Sequence, residues 1–278
     1  MNFTERLRGA QRKQNSLLCV GLDVDPRLIP SHLRGSDFGE LSRAVIEFNR
    51  RIIEATHDFV CAYKLNLAFY EALGSKGWDT LAKTLELIPS SIMTIGDGKR
   101  GDIGNTSEKY AKALFDDFGF DAVTINPYMG HDSIEPFLRK PERGVFLLAL
   151  TSNQGSKDFQ RMKIANRPLY EHVALKAKRW NVKRNIGLVV GATHPRELKR
   201  VRTLVPAMPI LIPGIGKQGG DVRRSVQYGC TQEGDLAVIT ASRSILYASR
   251  GKDFADAARR EGLKMLTEIQ RARELSPK

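Results

Sequence analysis

Eight short apolar runs rich in β-branched residues recur along the chain: SLLCVGLD, FVCAYKL, SIMTIGD, DAVTIN, GVFLLAL, IGLVVGA, MPILIPG and DLAVIT. Most of the gaps between them carry an amphipathic helical pattern. Buried strands that alternate with helices pair in parallel, because each return to the sheet passes through a helix on its face. Eight such units are the number that closes a barrel. The expected fold class is therefore α/β, a (β/α)8 TIM barrel with an extra N-terminal helix over MNFTERLRGAQRKQ and a last helix over residues 252–273. A doubly wound open sheet uses the same alternation and stands as the structural alternative, since strand count alone does not show closure. No linker, low-complexity segment or composition shift divides the chain, so residues 1–278 read as one domain.

With 41% hydrophobic content, 278 residues suffice to bury a full core. No stretch approaches the roughly 18 to 20 continuous apolar residues of a membrane helix, and the first residues lack the apolar centre of a signal peptide. A cytoplasmic protein without membrane contact is expected. Cys19, Cys61 and Cys230 lie far apart, two of them inside strand-like runs, and read as buried free thiols instead of a disulfide or zinc site. A net charge of +13 invites a nucleic-acid partner. The basic residues are interspersed with acids, however, as in AARREGLKMLTEIQRARE, a pattern that suits a solvated helix face. No nucleic acid is expected, and a basic nucleic-acid-binding protein remains as the non-enzymatic alternative. The five histidines, His32, His57, His131, His172 and His194, show no HExxH or paired spacing, so no metal site is read from them. A G-x-S-x-G elbow is absent, and no G-x-G-x-x-G opens the first crossover, which disfavours serine hydrolysis and dinucleotide chemistry.

In a barrel enzyme the site forms where the C-terminal ends of the strands meet the following loops. Polar residues gather there. The first strand ends in Asp23, the second contains Lys64 and Asn66, the third runs into Asp97 and Lys99, and the fifth stops at Thr151, Ser152 and Asn153. PGIGKQGGD and TASRSI follow the seventh and eighth strands, the position where barrels commonly hold a phosphate on loop amides. Arg243 would supply a planar donor fork there and Gln218 a side-chain amide. A glycine-rich loop alone reads equally as a flexible turn before a helix, and it is the pairing with Arg243 that favours phosphate.

The segment DGKRGDIGNTSEKY, residues 97–110, concentrates charge at one strand-to-helix turn. Side chains alternate along a strand, so Met93, Ile95, Asp97 and Lys99 share one face. Asp102 follows in the turn, and Asn105 with Glu108 has capping-box spacing for a helix ending near Gly119. A cap explains a helix start but not two acids and a lysine at a barrel mouth that also offers Asp23 and Lys64.

Asp97, Lys99, Asp102 and Ile103 fit a D-x-K-x-x-D-I motif, and here the chain resembles the orotidine 5'-monophosphate decarboxylase family, with DGKRGDIGNT similar to its bacterial second subgroup. The likeness continues through VGLDVDP, YKLN, INPYMG, LTSN, PGIGKQGGD and ASRSI, spread in order over residues 17–246. One departure is Gln154 with Gly155 after TSN, where many relatives have proline and glycine. The resemblance implies conversion of orotidine 5'-monophosphate to uridine 5'-monophosphate and carbon dioxide without a cofactor. It implies Lys99 as proton donor with Asp97 beside it, and Lys64 and Asp23 engaging each other and the ribose hydroxyls. It further implies a homodimer in which Asp102 and Thr106 reach the partner's site, Ser152 reading the pyrimidine, and Gln218 and Arg243 holding the phosphate. Asn126 is a candidate for the pocket wall, although a strand-end asparagine often serves only a turn. A metal-dependent sugar-phosphate decarboxylase or synthase of the same superfamily is the enzymatic alternative.

Overall fold

The computed structural model describes residues 1–34, 38–216 and 219–275, Phe38 in its backbone alone. Each of the eight apolar runs forms a strand: β1 Leu18–Gly21, β2 Ala62–Asn66, β3 Met93–Arg100, β4 Ala122–Ile125, β5 Gly144–Leu150, β6 Ile186–Val190, β7 Ile210–Ile212 and β8 Ala237–Ala241. They pair in parallel in the order β1-β8-β7-β6-β5-β4-β3-β2 and close. The closing pair sets Cys19 against Thr240 and Val20 against Ala241, so the open-sheet alternative is excluded. A short antiparallel pair, Lys163–Ile164 with Arg167–Pro168, lies in the excursion after β5 and was not expected from the apolar pattern.

The helices are α1 Phe3–Lys13, α2 Phe38–Thr56, α3 Leu67–Glu71, α4 Gly77–Glu86, α5 Gly104–Lys112, α6 His131–Leu138, α7 Leu169–Trp180, α8 Pro195–Leu204, α9 Val222–Gly229, α10 Arg243–Leu246 and α11 Phe254–Glu274. α1 starts at a capping box in which Asn2 and Glu5 each accept the other's backbone N–H at 3.0 Å. The Asn105–Glu108 capping box expected for α5 does not form. The helix begins earlier, with Ile103 at its N-cap and no side-chain cap, because Gly104 turns the chain in the left-handed region at φ 53°. Glu108 instead accepts from Arg139 at 2.7 Å. Beyond Lys112 the chain makes one π-helical turn over Ala113–Asp117 and ends near Gly119, as expected.

Alternation along the strands divides the core in two. Cys19, Met93, Ile95, Ala122, Phe146, Val189, Leu211 and Val238 form one buried cluster with Phe3 and Leu7 of α1. The alternate residues, such as Leu18, Val20, Leu188 and Ile239, pack with the surrounding helices in a larger cluster. α1 plugs the N-terminal end of the barrel. Phe3 stands edge-on to Phe146 at 5.7 Å, over Gly144, where a Cβ would come within 2.5 Å of its ring. Gln11 donates to the Ala237 carbonyl and accepts from the Leu236 amide, and Arg8 pairs with Asp235 at 2.7 Å. With that end closed, the inward positions at the other end are left for polar side chains. Cys19, Cys61 and Cys230 are buried and free. Among the described residues no helix is long and apolar enough to cross a membrane.

Candidate active site

A cavity of about 670 Å³ opens at the C-terminal ends of the strands, lined among others by Asp23, Lys64, Asp97, Lys99, Ser152 and Arg243. Its floor is a line of alternating charge. Lys64, fully inward on β2, donates to Asp23 at 3.1 and 3.3 Å and to Asp97 Oδ2 at 3.0 Å. Asp97 Oδ1 accepts from Lys99 Nζ at 2.8 Å and from Thr124 Oγ1 at 2.8 Å. The inward periodicity of β2, β3 and β4 brings these groups together, with Lys64 opposite Ile95 and Asn66 opposite Asp97 in the β2–β3 register.

The charges support one another. Burial works against the Asp97 carboxylate, but Lys64, Lys99 and the Thr124 hydroxyl outweigh it and hold its carboxyl well below the usual range. Burial also works against the Lys64 ammonium, and Asp23 and Asp97 more than offset it, so its pKa lies above that of an ordinary lysine. Lys64 is therefore a fixed cation. Beneath it, burial pushes the Cys19 thiol up to about 12, which keeps this thiol neutral.

Lys99 is placed differently from the strand-face expectation. It shares the Asp97 side of the strand, yet its side chain is 47% exposed, against 5% for Lys64, so Lys64 is the lysine that is buried. Its backbone lies in the left-handed region at φ 47°, where the β3–β4 register shifts between Gly96 and Arg100. A non-glycine residue pays for that conformation with roughly 1–2 kcal/mol, and here it turns the ammonium over the cavity. The bond from the Lys99 amide to Thr124 Oγ1, at 3.0 Å, holds the turn.

Asp23 is held from three sides: by Lys64, by the Asn66 amide at 3.1 Å and by the Ser242 hydroxyl at 2.9 Å. Arg243, exposed at the first position of α10, lines the cavity with Gly214 and Ile215 after β7. Ser152, after β5, lines the same cavity, close against Gly191. Gln218 lies outside the described residues.

Three of the expected residues lie away from this chain's cavity lining. Asp102 is half-buried, its carboxylate accepting from the Ile103 amide at 2.8 Å. Thr106 is exposed on α5. Asn126 is exposed and caps the short turn Pro127–Met129 by accepting from the Tyr128 amide at 3.1 Å. Conversely, Thr124 and Ser242 make direct bonds to the site's acids, and sequence reading assigned neither a role. The signal for Thr124 was its inward position two residues beyond Ala122. Ser242 offered none beyond its place next to Arg243. Among the described residues no group of three or more His, Cys, Asp or Glu side chains is placed to hold a metal ion.

Residues 16–259 match the model of the orotidine 5'-phosphate decarboxylase / HUMPS family. The chain is 53% identical over 262 residues to the orotidine 5'-phosphate decarboxylase of Dehalococcoides mccartyi, covering 93% of each chain. It is 48% identical over 260 residues to that of Herpetosiphon aurantiacus, covering 93% of this chain and 94% of the relative. Its fold superposes on the solved OMP decarboxylase of Leishmania donovani with a TM-score of 0.84 at 38% identity, over 99% of this chain and all of the other.

Proposed function

The chain belongs to the orotidine 5'-phosphate decarboxylase family, and from that premise we propose how its own residues carry the reaction. The enzyme converts orotidine 5'-monophosphate to uridine 5'-monophosphate and carbon dioxide in pyrimidine biosynthesis. The observation that carries the residue assignment is the line Asp23–Lys64–Asp97–Lys99, held at bonds of 2.8 to 3.3 Å on the cavity floor.

Loss of carbon dioxide leaves an electron pair on a ring carbon with no adjacent electron sink. The site must then offer fixed positive charge at that carbon, followed by a proton. Lys99 is placed to do both: its side chain lines the cavity, and its ammonium is held by Asp97 at 2.8 Å. Two unit charges near 3 Å attract by about 5 kcal/mol at an effective dielectric of 20, before desolvation is counted. Asp97 is itself anchored by Lys64 and Thr124, so the pair is preorganised. Lys64 and Asp23 take the ribose hydroxyls, Ser152 the pyrimidine, and Arg243 with Gln218 the phosphate. Phosphate binding far from the reacting carbon then contributes to the chemical step by fixing the ring against Lys99.

The second acid of the motif, Asp102, and Thr106 act in the site of a partner copy. Their position off this chain's cavity supports that reading, as do the exposed apolar side chains of Ile103 after β3 and of Tyr128 and Met129 after β4. A homodimer would cover this face and give two like sites. We read residues 1–278 as one decarboxylase domain of a cytoplasmic enzyme. Asn126 serves the wall only indirectly, by ordering the turn after β4.

The test follows the loss of orotidine 5'-monophosphate absorbance with purified protein in a chelator, for the wild type and Lys99→Ala. Turnover that survives the chelator and falls at least roughly 10³-fold in Lys99→Ala is expected, the scale of losing a key electrostatic group. Turnover abolished by the chelator alone would favour the metal-dependent sugar-phosphate branch, and near-normal turnover by Lys99→Ala would remove the proton-donor role.

A further inference from the structure

Ser242 occupies a position where serine usually caps a helix. It is the N-cap residue of α10, and its carbonyl accepts from the Ile245 and Leu246 amides. A serine hydroxyl there ordinarily accepts from an amide of the first turn. This one makes no cap bond. It points into the barrel mouth instead and donates to Asp23 Oδ2 at 2.9 Å, across 219 residues of sequence.

The fold makes room for that contact. A Cβ on Gly21 would lie 1.9 Å from the Ser242 hydroxyl oxygen, so the absence of a side chain at the end of β1 admits the serine. Asp23 then has donors on both oxygens: Lys64 and the Asn66 amide on Oδ1, Lys64 and Ser242 on Oδ2. A carboxylate offers about four acceptor directions. Three donor groups making four bonds fill those directions and fix the carboxylate plane at the cavity that Asp23 lines; the longest of them, Lys64 to Oδ2 at 3.3 Å, is the one a sugar hydroxyl would replace.

We infer that Ser242 is a positioning residue for the ribose end of the site: its hydroxyl sets the Asp23 carboxylate to meet the substrate's sugar hydroxyls and ties that acid to the turn bearing Arg243. One turn thus addresses two parts of the substrate, the phosphate through Arg243 and the sugar through Ser242 and Asp23. The inference rests on the reading that Asp23 engages the ribose hydroxyls.

The experiment measures kcat and KM of the wild type, Ser242→Ala and Ser242→Gly with orotidine 5'-monophosphate and with its 2',3'-dideoxy analogue. Loss of one hydrogen bond to a charged group predicts a kcat/KM roughly 10- to 100-fold lower for Ser242→Ala with the natural substrate. With the dideoxy analogue, which offers Asp23 no hydroxyl, the same substitution should change kcat/KM less than about twofold. A general structural defect would instead lower both alike. Equal losses on the two substrates in both variants, or no loss on the natural one, would overturn the inference. If the wild type did not distinguish the two substrates at all while still turning them over, the ribose role of Asp23 would fall and this inference with it. Ser242→Gly guards against a folding defect peculiar to the alanine variant, since glycine removes the hydroxyl without filling the space over Gly21.

Discussion

Thr124→Val tests whether the left-handed turn at Lys99 is held by a single hydroxyl. Threonine and valine have nearly the same volume, so the substitution deletes hydrogen bonds and little packing. Two are lost: the 2.8 Å donation to Asp97 and the 3.0 Å acceptance from the Lys99 amide. Thr124 is 1% exposed, so its bond to Asp97 is buried, while its bond to the Lys99 amide is part-buried. An unpaired amide costs about 1–3 kcal/mol, toward the lower end for a part-buried one such as that of Lys99, and a hydrogen bond to a charged group is worth about 1.5–3 kcal/mol. Asp97 keeps both of its lysines, so the second figure applies at its lower end and the sum is about 3 kcal/mol. At roughly 2 °C per kcal/mol for a chain of this size, Tm should fall by about 6 °C. Turnover should fall at least roughly tenfold, because the Lys99 backbone loses the bond that fixes its conformation and the ammonium is no longer aimed. Thr124→Ser, which retains the hydroxyl, should recover most of both. Thermal unfolding with steady-state kinetics on the three proteins decides the matter. A valine variant within 1 °C of the wild type and with unchanged kcat would refute the account of Lys99.

Acid stability should carry the signature of Asp97. Its folded carboxyl is held below the unfolded value of about 3.9, so its contribution is complete above that pH and drains away as pH falls toward the folded value. In urea titrations Asp97→Asn should lack that part of the acid dependence, and equal slopes below about pH 4 would exclude it. Arg243→Ala should sharply lower kcat/KM for the phosphorylated substrate and leave slow turnover of the nucleoside orotidine almost unchanged, because only the former can use the guanidinium; equal losses on both would remove Arg243 from the phosphate site. Lys99→Ala and Asp102→Ala homodimers should each be nearly inactive, yet mixing them with confirmed subunit exchange should restore about a quarter of all sites, given unbiased pairing of a two-fold interface. No recovery would place Asp102 in its own chain's site or dissolve the dimer reading.

The architecture was legible because the apolar runs are short, rich in β-branched residues and mostly separated by helical patterns, a combination that suits buried strands. Closure was not legible: it depends on the pairing of β1 with β8, which no local pattern encodes. Asp97 with Lys99 could be read together because alternation within one strand is a local rule. Thr124 and Ser242 could not. A hydroxyl residue is common at strand ends, and the partners here are 27 and 219 residues away, so their roles appear only once the strands are in register. The burial of Lys64 and the exposure of Lys99 were hidden for the same reason, since both occupy inward positions and only the bulge in β3 lifts the second toward solvent. The capping box at Asn105 failed because the spacing rule ignores what a preceding glycine does to the chain direction and what Arg139 offers Glu108.

The pairing of β1 with β8 has a consequence for how this molecule comes into being. Asp23 follows the first strand of the barrel, and Ser242 and Arg243 follow the last, so their contacts span most of the chain. The plug at the opposite end has the same dependence, because α1 is fastened to Leu236, Ala237 and Asp235 beside the last strand. A nascent chain that has emerged only as far as β7 can hold Lys64, Asp97 and Lys99 in neighbouring strands, but both ends of its barrel are still unfastened. Contacts so distant in sequence form late, after the loop-closure cost of joining the ends has been met. Recovery of activity during refolding therefore times the seam between the first and last strands, and the rate at which turnover returns is a clock for closure itself.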